Sequence, residues 1–220
     1  MVKYIEIIGL GGAGKTTLLE KVSKKYYNSN VQFIFPSNNL IKNLYIKSFF
    51  FLIRLLLINP RIAFGIVLFK DERWLFKKIA FRLYSLRNTN KNKFNILIDS
   101  GFYEPLISHA MFFSGKTKIK VYRNYIKVLK KPLAVICFDV NNDIGLKRFI
   151  NREKLLKRIK DYDLNKLEEN FIKAGKVYSQ IKKKLSDSGI ELIIIDGNKE
   201  IYDNVNESKL ISSINSLVSR

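Results

Sequence analysis

This chain is short of cysteine, histidine, proline and acidic side chains. A single Cys, at position 137, among 220 residues excludes a disulfide framework and, with a single His at 109, excludes a clustered Cys/His metal site. That usage fits a reducing cytoplasm. Four Pro and eleven Gly, scattered along the chain, leave no low-complexity linker, and no internal repeat is present. No apolar run reaches the roughly eighteen residues that a membrane-spanning helix requires. The two greasiest stretches are interrupted by Arg54 and Pro60. The opening Met1-Val2-Lys3 runs straight into a strand-like segment, which leaves no room for a signal peptide and points to a cytoplasmic location.

Acidic residues are the other shortage, 19 Asp+Glu against 40 Lys+Arg for a formal charge of +21. Such an excess ordinarily suggests an anionic partner. Here the basic residues are spread along the whole chain, which is also loaded with Lys, Asn, Ile, Phe and Tyr, the bias of an AT-rich coding sequence. The charge therefore reads as a solvated basic surface, and nucleic-acid binding rests on charge alone. At this length the chain holds one sizeable core, so a single domain over residues 1–220 is expected.

What is present is concentrated near the start. Gly9-Leu10-Gly11-Gly12-Ala13-Gly14-Lys15-Thr16 matches G-x-x-x-x-G-K-[ST] at every fixed position, between a strand-like Tyr4-Ile5-Glu6-Ile7-Ile8 and a helix-like Thr17-Leu18-Leu19-Glu20-Lys21-Val22. In that context glycines turn successive amide N–H groups inward, the helix N-terminus adds its positive end, and Lys15 offers a mobile ammonium to the β- and γ-phosphates. Gly9, Gly11, Gly12, Ala13, Gly14, Lys15, Thr16 and Thr17 are thus expected to bind ATP, with the Thr16 hydroxyl on Mg²⁺. Four further apolar runs follow, at residues 31–35, 94–99, 133–139 and 190–196, each closed by a turn signal and separated by helical stretches. Rich in Ile and Val, they predict a five-stranded parallel sheet buried on both faces, a three-layer α/β/α arrangement with ligands beyond the carboxyl ends of the strands. Gly9, Pro36, Asp99, Asp139 and Gly197 fall on that edge.

The longest connection, residues 37–93, carries an apolar helical insertion at about 40–70. Its stretch 48–69 leaves three readings open: core helices over the sheet, a homodimer face, or a peripheral contact with the inner face of the membrane. His109 has no acidic or nucleophilic neighbour in sequence and reads as a packing residue. Residues 144–161 form a heavily charged helix that reads as mostly solvated, with Arg148 and Arg152 at i and i+4 on one face, where they can converge on one phosphate cluster.

The order of these motifs resembles the thymidylate kinase branch of the P-loop nucleoside and nucleotide kinases over nearly the whole chain. The P-loop with its doubled hydroxyl Thr16-Thr17 is similar to the family's opening. Leu68-Phe69-Lys70-Asp71-Glu72-Arg73 is similar to its acceptor helix, Asp99 stands where it places an Asp-Arg-Tyr signature, Arg148 and Arg152 begin an arginine-bearing lid at about 148–162, and Ile195-Asp196-Gly197 resembles the loop bordering adenine. The resemblance implies ATP and Mg²⁺ as cofactors and phosphoryl transfer to a small-molecule acceptor, a nucleoside monophosphate above all. In it Lys15, Asp99, Arg148 and Arg152 carry the chemistry, Thr16 and Asp99 the metal, Gly197 the adenine, and Arg73 the acceptor phosphate. Phe35 and Tyr103 leave two readings open in a chain this rich in aromatics, stacking on a base or packing in the core. One departure is plain: Asp99-Ser100-Gly101 lacks the signature's arginine, and the turn after the second strand is reduced to Phe35-Pro36. The alternatives are a kinase of a sugar or lipid-linked glycan precursor at the membrane surface, and a regulatory nucleotide-binding ATPase.

Overall fold

Why five short runs make one sheet is visible in their alternation. In the computed structural model, which describes residues 4–26, 31–34, 53, 57, 60, 73–79, 94–98, 101–112, 129, 131–155, 164–198 and 204–219, the strands are β1 (Tyr4–Gly9), β2 (Val31–Ile34), β3 (Phe94–Ile98), β4 (Ala134–Asp139) and β5 (Glu191–Asp196). They pair in parallel in the order β2-β3-β1-β4-β5. β1 is central, and its neighbours hold it in register through Ile5 opposite Ile96 and Ala134, and Ile7 opposite Ile98 and Ile136. The expected five-stranded parallel sheet is present.

Because side chains alternate along a strand, β1 and β4 each feed two cores. Ile5 and Ile7 of β1, with Ala134, Ile136 and Phe138 of β4, face α1 (Lys15–Ser23) and α6 (Asn204–Val218). Tyr4 and Ile8, with Val135 and Cys137, face the other layer. That layer is built from α2 (residues 73–79), α3 (Glu104–Phe112), α4 (Asn142–Leu155) and α5 (Leu164–Ser186). Ile5, Ile7 and Ile8 are fully buried, each contributing about 1.5–3 kcal/mol of apolar burial. The sandwich thus has helices on both faces, as the unbroken apolar runs require.

α5 shows how the outer helices are fixed. Leu167, Phe171, Ala174, Tyr178, Ile181 and Leu185 recur every three or four residues and are all buried, so one stripe packs on α3 while the charged face stays in water. Its end is a Schellman turn: the Ile190 amide donates to Leu185 O at 3.1 Å and Gly189 to Ser186 O at 2.9 Å. Gly189, at φ 71°, takes the left-handed position that this closure needs.

Most charged residues of α4 are exposed, as expected, but the helix also buries one stripe, Gly145, Phe149 and Glu153. Tyr103 is not available to stack on a base: it is 1% exposed, packed in the α3–α5 core, with its hydroxyl pKa pushed up by burial and then by the charge of Glu6. His109 is fully buried, its ring 6.0 Å from that of Trp74, and packs as expected. Of the apolar insertion, Ile53, Leu57 and Pro60 are described, and all three are exposed, Leu57 at 83%. No helix among the described residues is long and apolar enough to cross a membrane.

α1 and α6 are tied by charge. Glu207 of α6, almost wholly covered, meets Lys21, and Lys25 at 2.6 Å. Hydrogen bonds from Lys21 and then Lys25 hold its carboxyl below the ordinary 4.5. A carboxylate depressed in the folded state contributes stability above its unfolded pKa and loses it as pH falls through the folded value. Glu207→Gln should therefore melt below the native chain at pH 7, with the difference closing as both are acidified below the carboxylate range. Thermal melts across pH check this; a gap that persists in acid would assign the loss to packing alone.

Candidate functional site

The P-loop leaves the carboxyl end of the central strand, where successive connections run to opposite sides of the sheet. Ligands of doubly wound sheets bind at such a switch point. Gly12 and Gly14 have φ 77° and 83°, and Gly14 caps α1, accepting the Leu18 amide at 3.1 Å. Gly12 also lies directly under α4: a Cβ there would collide with the carbonyl of Gly145, and one on Gly11 would strike the Phe149 ring. The first half of α4 is thus seated on the phosphate loop.

Lys15 opens α1 and folds back. Its Nζ donates to Gly9 O at 2.6 Å and Leu10 O at 3.1 Å, and sits 3.3 Å from Glu104 Oε1. Lys15 and Glu104 are each only 8% exposed. Arg148 donates through Nη1 to Gly197 O at 2.5 Å and through Nη2 to Asn198 O at 3.1 Å. Arg152 lies 5.2 Å above the Phe149 ring and donates from Nε and Nη2 to Glu153 Oε1, at 3.0 and 2.8 Å. The two arginines line one cavity, as their spacing predicts, yet their guanidinium groups rest on different acceptors. Lys15, Arg148 and Arg152 are each held on an oxygen of the protein.

The cavity, about 770 Å³, is within the range of small-molecule sites. Its floor is the P-loop from Leu10 to Thr17, one wall is α4 with Arg148, Phe149, Arg152 and Leu155, and the other is α3 with Glu104, Ile107, Ser108, Met111 and Phe112. Beyond Glu104, the α3 wall carries no charge. Gly197 borders a narrower crevice with Ala13, Gly14, Leu18 and Asn206. Its loop is braced by Asp196, which accepts from the amide and side chain of Asn198 at 3.0 and 2.9 Å, and by the Gly197 amide on Asp139 O at 2.6 Å. Asp139 in turn accepts from Tyr178 at 2.6 Å and from Lys182 at 2.6 and 2.8 Å. Beneath it, burial and then the Asp139 charge push the Cys137 thiol up to about 12.

Arg73 is exposed and is not among the residues lining the cavity. Phe35, Asp99 and the part of the lid beyond Leu155 lie outside the described residues. Sequence reasoning gave Glu104 no role and gave Phe149 none either. An acidic residue opening the helix after β3 was the available signal for the first, and the i, i+4 match of Gly145 and Phe149 to the P-loop glycines is visible only in three dimensions.

Among the described residues there is no cluster of three or more potential metal-binding side chains. Mg²⁺ that arrives with a nucleotide takes most of its ligands from phosphate and water and needs only one or two protein oxygens. The Thr16 hydroxyl at the start of α1, with a carboxylate on the same cavity, fits that demand.

Fold and site are those of a P-loop α/β protein. More narrowly, the chain has the fold of solved structures of deoxyadenosine kinase from M. mycoides. It is similar to that enzyme with products dCMP and a flexible dCDP bound (17% identity, TM-score 0.58, 97% of this chain and 99% of that chain). It is likewise similar to the same enzyme with bound dATP (16%, 0.57, 96% and 99%) and with bound dCTP (15%, 0.57, 97% and 99%). No protein-family model and no curated protein matches the chain.

The contact of Gly12 with Gly145 gives a direct test. Gly12→Ala must hold an L side chain at positive φ, at about 1–2 kcal/mol, and must also lift α4 off the loop. Expected are lower stability in chemical denaturation and nucleotide affinity reduced by about tenfold or more. Wild-type values of both would mean that α4 is not seated on the loop.

Proposed function

We propose that this chain is an ATP-dependent kinase that transfers the γ-phosphoryl group to a hydroxyl of a nucleoside. The observation that carries the reading is the cavity, in which a complete P-loop faces an α3 wall of Ile107, Ser108, Met111 and Phe112. Among its described residues that wall carries no cation, Glu104 being its one charge, and a wall without a cation suits a neutral acceptor better than a phosphorylated one. The exposed position of Arg73 and the absence of the signature arginine in Asp99-Ser100-Gly101 point the same way, away from the nucleoside monophosphate that the thymidylate kinase resemblance implies. The likeness to deoxyadenosine kinases supports the nucleoside class.

Phosphoryl transfer demands in-line placement and compensation of spread negative charge, with little covalent chemistry from the protein. Lys15 and the amides of residues 11–16 would hold the donor phosphates, and the Thr16 hydroxyl would help hold Mg²⁺, which when bound would offset phosphate charge. Arg152, half-exposed and paired with Glu153 at the cavity edge, is placed to turn onto the transferred group. Arg148 braces the Gly197–Asn198 loop on the adenine side. Asp99 remains the candidate to accept the acceptor hydroxyl's hydrogen bond or to organise the metal through water.

A second reading, a sugar or lipid-linked precursor as acceptor at a membrane surface, is favoured by the exposed Ile53 and Leu57. One screen separates them: coupled ADP release against nucleosides, nucleoside monophosphates and phosphosugars, with Lys15→Ala as blank. Nucleosides should give the signal, Lys15→Ala should abolish it, and Arg152→Ala should lower turnover about a hundredfold with the true acceptor. ADP release that needs no acceptor would indicate a regulatory ATPase. Stimulation by phosphosugars alone would replace the nucleoside reading.

A further inference from the structure

Glu104 is held in place by the strand that carries the P-loop. Glu6, fully buried on β1, accepts the Tyr103 amide at 2.6 Å, and the backbone at Gly101 lies so close to the Glu6 carboxyl that a side chain there would overlap it. Tyr103 O accepts the first amides of α3, from Leu106 at 3.0 Å, so Glu104 is the first helical residue beyond a pinned loop. The Glu104 side chain then meets Lys15 at 3.3 Å, and the ammonium's remaining donors go to Gly9 O and Leu10 O. Buried charge needs such partners, and a buried carboxylate that loses its cation is costly.

We propose that Glu104 is a positioning residue that makes nucleotide binding conditional on the divalent cation. The inference rests on the kinase reading above. Before nucleotide arrives, its carboxylate holds the Lys15 ammonium. When Lys15 turns to incoming phosphates, the carboxylate stays behind on the cavity wall, because Glu6 fixes the loop before it, and faces the same anion. Metal-free ATP brings no cation of its own to offset this like charge. A cation carried by ATP and held at Thr16, on the same cavity, offsets it. Glu104 thereby selects the metal complex over the free nucleotide and returns Lys15 to its resting place after release.

The test is the ratio of ATP dissociation constants in EDTA and in Mg²⁺, measured by titration calorimetry on the full chain. Glu104→Gln should bind metal-free ATP about tenfold or more tightly than the native chain, so that its ratio falls by that factor, while Glu104→Asp keeps most of the native ratio. Glu104→Ser, which removes the charge with less bulk, gives the same readout if the Gln variant does not fold. An unchanged ratio in the charge-removing variants overturns the proposal while native binding of Mg·ATP leaves the kinase reading standing. A native chain that binds ATP under neither condition overturns both.

Discussion

A buried ammonium organises this structure. Lys15 is almost wholly covered, and a cation in that position survives only where oxygens replace its water. Two of those oxygens are carbonyls at the end of β1, and the third belongs to Glu104, whose loop is anchored by Glu6 on the same strand. The ring of contacts begins and ends on β1. It requires the strand to be central, the loop after β3 to fold back over it, and α3 to begin where it does.

The same arrangement is repeated around the cavity. Arg148 rests on the carbonyls of Gly197 and Asn198, and Arg152 on Glu153. On the proposed kinase reading, nucleotide binding in this site would be an exchange of oxygens, protein acceptors given up for phosphate, and not the capture of an anion by bare charge. Such exchange would moderate affinity, since Lys15 and Arg152 each surrender a partner as they gain one, and it would favour phosphates that reach both together. α4 contributes by sitting on Gly11 and Gly12, so that the Gly197–Asn198 loop, the P-loop and the arginines are carried on one packed unit.

Much of this was legible in the residues. The P-loop declares itself through fixed positions and through its strand and helix neighbours, and five apolar runs of Ile and Val declare a sheet covered on both sides. The side-chain assignments were harder. Candidate base-stacking aromatics such as Tyr103 cannot be sorted by composition in a chain with 16 Phe and 11 Tyr, and the fold puts Tyr103 in the core. α4 looked solvated because its charges dominate the count, whereas Gly145 and Phe149 alone decide which face meets the P-loop. Glu104 escaped notice because its partner lies far away in sequence, and only the parallel crossovers bring α1 and α3 to the same strand edge.

A crystal structure of the chain with Mg²⁺ and a non-hydrolysable ATP analogue tests this exchange of oxygens most directly. It should show the Lys15 ammonium on phosphate oxygens and no longer paired with Glu104, and Arg152 turned from Glu153 into the cavity. An analogue bound away from the P-loop, or Lys15 still paired with Glu104 beside bound phosphates, would contradict it.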